Sequence, residues 1–150
     1  MPNLALPGQE NAVAVVAVIP NEDDRNTLRG LFRGSNWLLS FTGSIAETMR
    51  WLKASATPVV ICDRDLPDGS WKELLASTQS LCRPPRLVVT SRFADERLWA
   101  EALNLGCHDV LPQPLDAGEM FRVLNFAWRT WHDEREDGAK SATLTAGAVI

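Results

Sequence analysis

Four apolar residues, Val59-Val60-Ile61-Cys62, run directly into Asp63, and Arg64, Asp65, Leu66, Pro67, Asp68 and Gly69 follow. A carboxylate carried to the end of an apolar strand can act as a nucleophile and take a phosphoryl group covalently. Asp65, two residues on, could protonate a leaving group beside it. An acid after a strand is also common in plain loops, so spacing alone leaves both readings open. Three other segments end apolar runs in polar residues: Pro20-Asn21-Glu22-Asp23-Asp24, Thr90-Ser91 and Gln113-Pro114.

The elements that must position these residues alternate along the chain. Ala12 to Ile19 is a continuous apolar run, as expected of a strand covered on both faces. Asn21 then caps a first helix with the apolar stripe Leu28, Leu31 and Phe32, and Gly34 closes it. Trp37 to Phe41 is a second strand, and Ser44 caps a helix with Ile45, Met49 and Leu52 on one side. Val59 to Cys62 is the third strand, followed by a helix with Leu74, Leu75 and Thr78 inward. Leu87 to Thr90 is the fourth, followed by a helix with Leu98, Ala102 and Leu105 that stops at Gly106. His108 to Leu111 is the fifth, and a last helix runs from about Asp116 to His132 with Met120, Leu124, Ala127 and Trp131 inward. Five β-α units imply an α/β fold with a parallel sheet and helices on both faces. Ligands in such sheets collect beyond the carboxyl ends of the strands, where strand order reverses.

The chain has 150 residues, the size of one domain, with 45% hydrophobic and 23% charged residues. Segments 1–11 and 133–150 are expected to be flexible ends around a domain spanning 12–132. A net charge of −4, from 19 acids and 15 basic residues, excludes a broad nucleic-acid footprint and gives no attraction to anionic lipid. No run of apolar residues reaches the roughly 20 needed to span a bilayer. Cys62, Cys82 and Cys107 match no zinc spacing and read as free thiols, which together with the lack of a basic leader suggests a cytoplasmic chain. His108 and His132 are isolated from other metal-ligating residues.

Val59-Val-Ile-Cys-Asp63-Arg-Asp-Leu-Pro67-Asp-Gly69 resembles the phosphoacceptor segment of response-regulator receiver domains from two-component signalling. Leu87-Val-Val-Thr90-Ser91 is similar to that family's switch strand, and Ala102-Leu-Asn-Leu-Gly106-Cys-His-Asp109-Val-Leu-Pro-Gln113-Pro114-Leu to its last motif. The resemblance spans residues 12–132. It implies a flavodoxin-like (βα)5 doubly wound sheet of order 2-1-3-4-5. It also implies a non-enzymatic phosphoprotein with Asp63 as acceptor, Thr90 and Gln113 as sensors of its state, and a cis Gln113-Pro114 bond.

The departures are coherent. The family's two adjacent Mg²⁺-binding acids correspond to Pro20 and Asn21, its phosphate-pairing lysine to Gln113, and its aromatic switch residue to Val110. Asp63 with Asn21, Glu22 and Asp65 is the remaining candidate metal set, Asp23 and Asp24 could also reach back, and Arg64 could supply the missing cation. Mg²⁺ neutralises developing charge in phosphoryl transfer, so its loss predicts slow or absent phosphorylation at Asp63.

The partners implied are a histidine kinase or phosphotransfer protein and a downstream protein. Trp99 and Leu103 on the fourth helix and Phe121 and Trp128 on the fifth form the candidate partner surface, which could also make a homodimer. The competing readings are a phosphorylation-independent scaffold and a haloacid-dehalogenase-like phosphatase using Asp63 and Asp65. The second lacks that family's later basic residue, and its acids follow the third strand rather than the first.

Overall fold

Strand β1 (Val13–Val18) lies inside the chain's main sheet rather than at its edge, although it comes first in sequence. The computed structural model describes residues 13–149, with side chains through Glu134, and the expected flexible segment 1–11 lies outside the described residues. The remaining elements in order are α1 (Glu22–Phe32), β2 (Trp37–Thr42), α2 (Ile45–Ala54), β3 (Val59–Asp63), β4 (Asp65–Leu66), β5 (Gly69–Ser70), α3 (Trp71–Thr78), β6 (Arg86–Ser91), α4 (Glu96–Leu105), β7 (Asp109–Pro112) and α5 (Ala117–Val149). The five-stranded sheet has the order β2-β1-β3-β6-β7, and each neighbouring pair in it is parallel. Omitting the small β4-β5 hairpin, this is the expected 2-1-3-4-5.

Alternation along the strands divides the core in two. Val16, Val18, Val60, Cys62, Leu87, Val89 and Val110 face α2, α3 and α4. Val15, Ala17, Ile19, Val59, Ile61, Val88 and Leu111 face α1 and α5 through Leu28, Phe32, Met120, Val123, Leu124 and Ala127. Successive strand side chains point to opposite faces, so a fully apolar strand is what a sheet covered on both sides requires.

The helix ends follow their capping residues. Asn21 Oδ1 accepts from the amide of Asp24, Ser44 caps α2, and Gly106 closes α4 in the left-handed conformation. Ser70 and Glu73 form a reciprocal capping box on α3. Asp68 reaches across from the β4-β5 turn, its carboxylate accepting from the amides of Ile45 and Ala46 at 2.8 and 3.1 Å. Gly69 allows this close approach: at φ +154° a Cβ there would lie 2.8 Å from Ile45 Cδ1.

Several expectations need correction. α5 continues past His132 to Val149, and no proline interrupts the stretch. Leu105 is exposed rather than inward, being the last residue of α4 before the chain turns at Gly106. Trp71, which the periodicity does not single out, is almost fully buried at the start of α3. The Gln113-Pro114 bond is cis as expected. Among the described residues no helix is long and apolar enough to cross a membrane.

Candidate functional site

Strand parity builds the site. Val59 and Ile61 point to the α1-α5 layer, and two residues further along the same strand stands Asp63. Val88 leads likewise to Thr90, and Leu111 to Gln113. The register pairs Asp63 with Thr90, and Thr90 with Leu111, so the three polar side chains share one edge of the sheet. Backbone bonds hold the loops there: Arg64 N donates to Thr90 O at 3.2 Å, and Gln113 N to Ser91 O at 3.0 Å.

Gln113 is the centre of the contacts. Its Nε2 donates to Asp63 Oδ1 at 3.3 Å and to Thr90 Oγ1 at 3.2 Å, while its Oε1 accepts from Arg92 Nε at 3.4 Å. The reverse amide orientation would set its carbonyl oxygen against the Asp63 carboxylate and its NH₂ against a guanidinium, so the neighbours themselves choose this one. Arg92 also donates from Nη2 to Asp24 Oδ1 at 3.2 Å. A chain of polar contacts therefore runs Asp24, Arg92, Gln113, Asp63.

Burial raises the Asp63 carboxyl from 3.8 to about 6, and the like charge of Asp24 adds to the rise. The Gln113 hydrogen bond and the charge of Arg92 oppose it, and Asp65 raises it slightly further. A cavity of about 220 Å³ opens over Asp63, with Asp24, Arg64, Asp65, Thr90, Arg92 and Gln113 in its wall. A second, of about 370 Å³, shares Asp24, Thr90, Arg92 and Gln113 with it and is floored by Ile19, Leu28 and Ile61.

The other candidate residues are placed elsewhere. The Asn21 amide oxygen is taken up by the α1 cap. Glu22 points outward to Arg29 at 3.1 Å, since the two share an outer stripe of α1. Asp65 pairs with Arg64 at 3.3 Å and its side chain is 77% exposed. Arg64 is therefore engaged by its neighbour, and the cation that reaches the Asp63 network is Arg92. Val110 is buried on the opposite face of the sheet, packed with the α4 layer. Trp99 and Leu103 are exposed on α4, as expected. Phe121 and Trp128 do not extend that face. Seven residues apart and one step from the inward stripe, they turn toward α1 and β2, Phe121 meeting Phe32 edge-on at 5.3 Å. The exposed aromatic of α5 is Phe126.

Arg92 is the site residue that reasoning from motifs misses, and Asp24 enters that reasoning only as one of three acids that could reach back. Both carry a readable signal. Asp24 lies four residues before the buried Leu28 on the same helical stripe, and Arg92 continues the parity of Val88 and Thr90.

A divalent metal ion does not fit this donor set. Mg²⁺ wants near-octahedral oxygen ligands, with carboxylates supplying charge. Pro20 offers no side-chain oxygen, Asn21, Glu22 and Asp65 are committed elsewhere, and Asp24 is paired with a guanidinium. Among the described residues no group of three or more His, Cys, Asp or Glu is placed to hold a metal.

No family model matches the chain, and no curated protein does. Solved structures do. The signal receiver domain of an HD domain-containing protein from Pseudomonas fluorescens Pf-5 aligns with a TM-score of 0.75 at 24% identity, over 83% of this chain and 92% of that one. A response regulator receiver domain protein from Clostridium thermocellum aligns at 0.71 and 16%, over 79% and 95%. The receiver domain of the Francisella response regulator 1452 aligns at 0.70 and 17%, over 79% and 98%. With the strand order and the edge occupied by Asp63, Thr90 and Gln113, these likenesses establish that the chain has the flavodoxin-like fold of response-regulator receiver domains.

Proposed function

We propose that this chain is a receiver-type signalling domain centred on Asp63, that it is not an enzyme, and that its output runs through protein contacts. The observation that carries the reading is the position of Gln113, hydrogen-bonded at once to Asp63 and Thr90. A change of charge at Asp63 would be felt directly by the side chain that also holds Thr90. Partners of this function are a histidine kinase or phosphotransfer protein on the input side and a protein on the output side. The exposed Trp99 and Leu103 are the contacts we assign to the latter.

Phosphorylation of Asp63 is slow or absent in this reading. Transfer of a phosphoryl group relies on positioning and on neutralising charge, and the phosphorylated residue would carry extra negative charge beside Asp24. Gln113 can donate a hydrogen bond there but brings no charge. The test is intact-protein mass spectrometry after incubation with acetyl phosphate and Mg²⁺, with Asp63→Asn as control. The expected adduct is far below stoichiometric under conditions that fully modify an ordinary receiver. A complete, Mg²⁺-dependent adduct that disappears in the variant would overturn this part of the reading.

A further inference from the structure

We infer that Arg92 is the resident cation of this site: anchored just past β6, its guanidinium engages Asp24 and braces Gln113 against Asp63, and so keeps a divalent metal out. The inference deepens the reading of Asp63 as the centre of the domain.

The charged groups around the cavity are Asp24, Asp63, Asp65, Arg64 and Arg92. Arg64 is spent on Asp65. Arg92 spans the opening with one nitrogen 3.2 Å from Asp24 and another 3.4 Å from Gln113. Asp24 is the acid that a metal beside Asp63 would need, and its side chain is only 26% exposed, so the pair is less screened than one between two fully exposed side chains. The two cations compete on unequal terms. Arg92 is tethered, which gives it a high effective concentration at Asp24, and a guanidinium gives up hydration more readily than Mg²⁺ does. Arg92 is thus a positioning residue: it acts on Asp63 through Gln113 and through its charge.

The test is a Mg²⁺ titration of the full chain by ¹H–¹⁵N NMR, following the Arg64 amide and the Gln113 side-chain amide. Unmodified protein is compared with Arg92→Ala, Arg92→Lys and the double variant Arg92→Ala with Asp24→Asn. Because the Arg92 side chain is largely exposed, the alanine variant is expected to fold, and its spectrum away from the site reports whether it does. The expected result is that Arg92→Ala binds Mg²⁺ at least about tenfold more tightly than the unmodified protein. Arg92→Lys stays near the unmodified protein, and the double variant loses the gain. Equal affinity with and without Arg92, absence of binding in both, or a gain that survives Asp24→Asn would each overturn the inference. No phosphoryl donor is used, so failure of the acetyl phosphate experiment and failure of this one are separate results.

Discussion

The side-chain amide of Gln113 donates to Asp63 Oδ1 at 3.3 Å, joining residues 50 positions apart at the carboxyl edge of the sheet. It is a neutral donor facing a carboxylate that is partly buried and near a second acid. Its hydrogen bond offsets only part of the rise in the Asp63 pKa, which still reaches about 6.

Replacing that donor with a charged one should change the balance. Gln113→Lys places an ammonium within reach of the same carboxylate, and an adjacent opposite charge lowers a carboxyl pKa by about 1–3 units. Carboxyl ¹³C NMR across a pH series should show Asp63 titrating at least about one unit lower in the variant. An unchanged midpoint would mean that the lysine does not reach Asp63.

Asp63 itself should weaken the fold at neutral pH. Its folded pKa of about 6 lies above its ordinary 3.8, so the folded chain holds this proton more tightly than the unfolded one. The resulting stability is complete below about pH 4 and is lost as pH rises through about 6. Asp63→Asn should therefore be more stable than the unmodified protein at pH 7.5, by about 1 kcal/mol once partial exposure is allowed for. At pH 4 the difference should nearly vanish. Urea unfolding at both values decides the matter, and a variant no more stable at pH 7.5 would refute the ionised, strained carboxylate.

Two of the six tryptophans stand at opposite extremes, Trp71 holding the fold and Trp99 lying open to a partner. Trp71 is 2% exposed against the α2-α3-α4 layer, and Trp71→Ala should cost about 3–5 kcal/mol in urea unfolding. Trp99 is 50% exposed and makes one long side-chain bond, to Asp109 at 3.3 Å. Trp99→Ala should cost less than about 1 kcal/mol, leaving a folded protein in which partner binding can be scored. A large loss of stability on removing Trp99 would place it in the core instead.

Thiol chemistry should separate the three cysteines. Cys62 and Cys107 are buried, and burial raises both thiols, Cys107 to about 12. Cys82 is exposed. Iodoacetamide at pH 8 should label Cys82 alone in the folded chain and all three after denaturation, as peptide mass spectrometry would show. Rapid labelling of Cys62 in the native protein would contradict the packing of β3.

Much of this site is legible in the sequence. An apolar strand covered on both faces alternates without exception, so Val59, Ile61 and Asp63 must share a side, and so must Val88 with Thr90 and Leu111 with Gln113. Caps such as Asn21 and Gly106 are local chemistry and needed only their neighbours. Long-range choices were not of this kind. Three acids follow Pro20, and which of them meets Arg92 depends on how α1 is rotated against the sheet, set by the burial of Leu28 and Phe32. Arg64 has an acid, Asp65, next to it in the chain, whereas the end of β6 sends Arg92 across to Asp24, 68 positions away. Phe121 and Trp128 are apolar in any reading; only the packing of α5 on α1 turned them inward and left Phe126 in solvent. Local periodicity decides which face a residue is on, whereas a charge finds its partner only when distant segments are brought to the same edge.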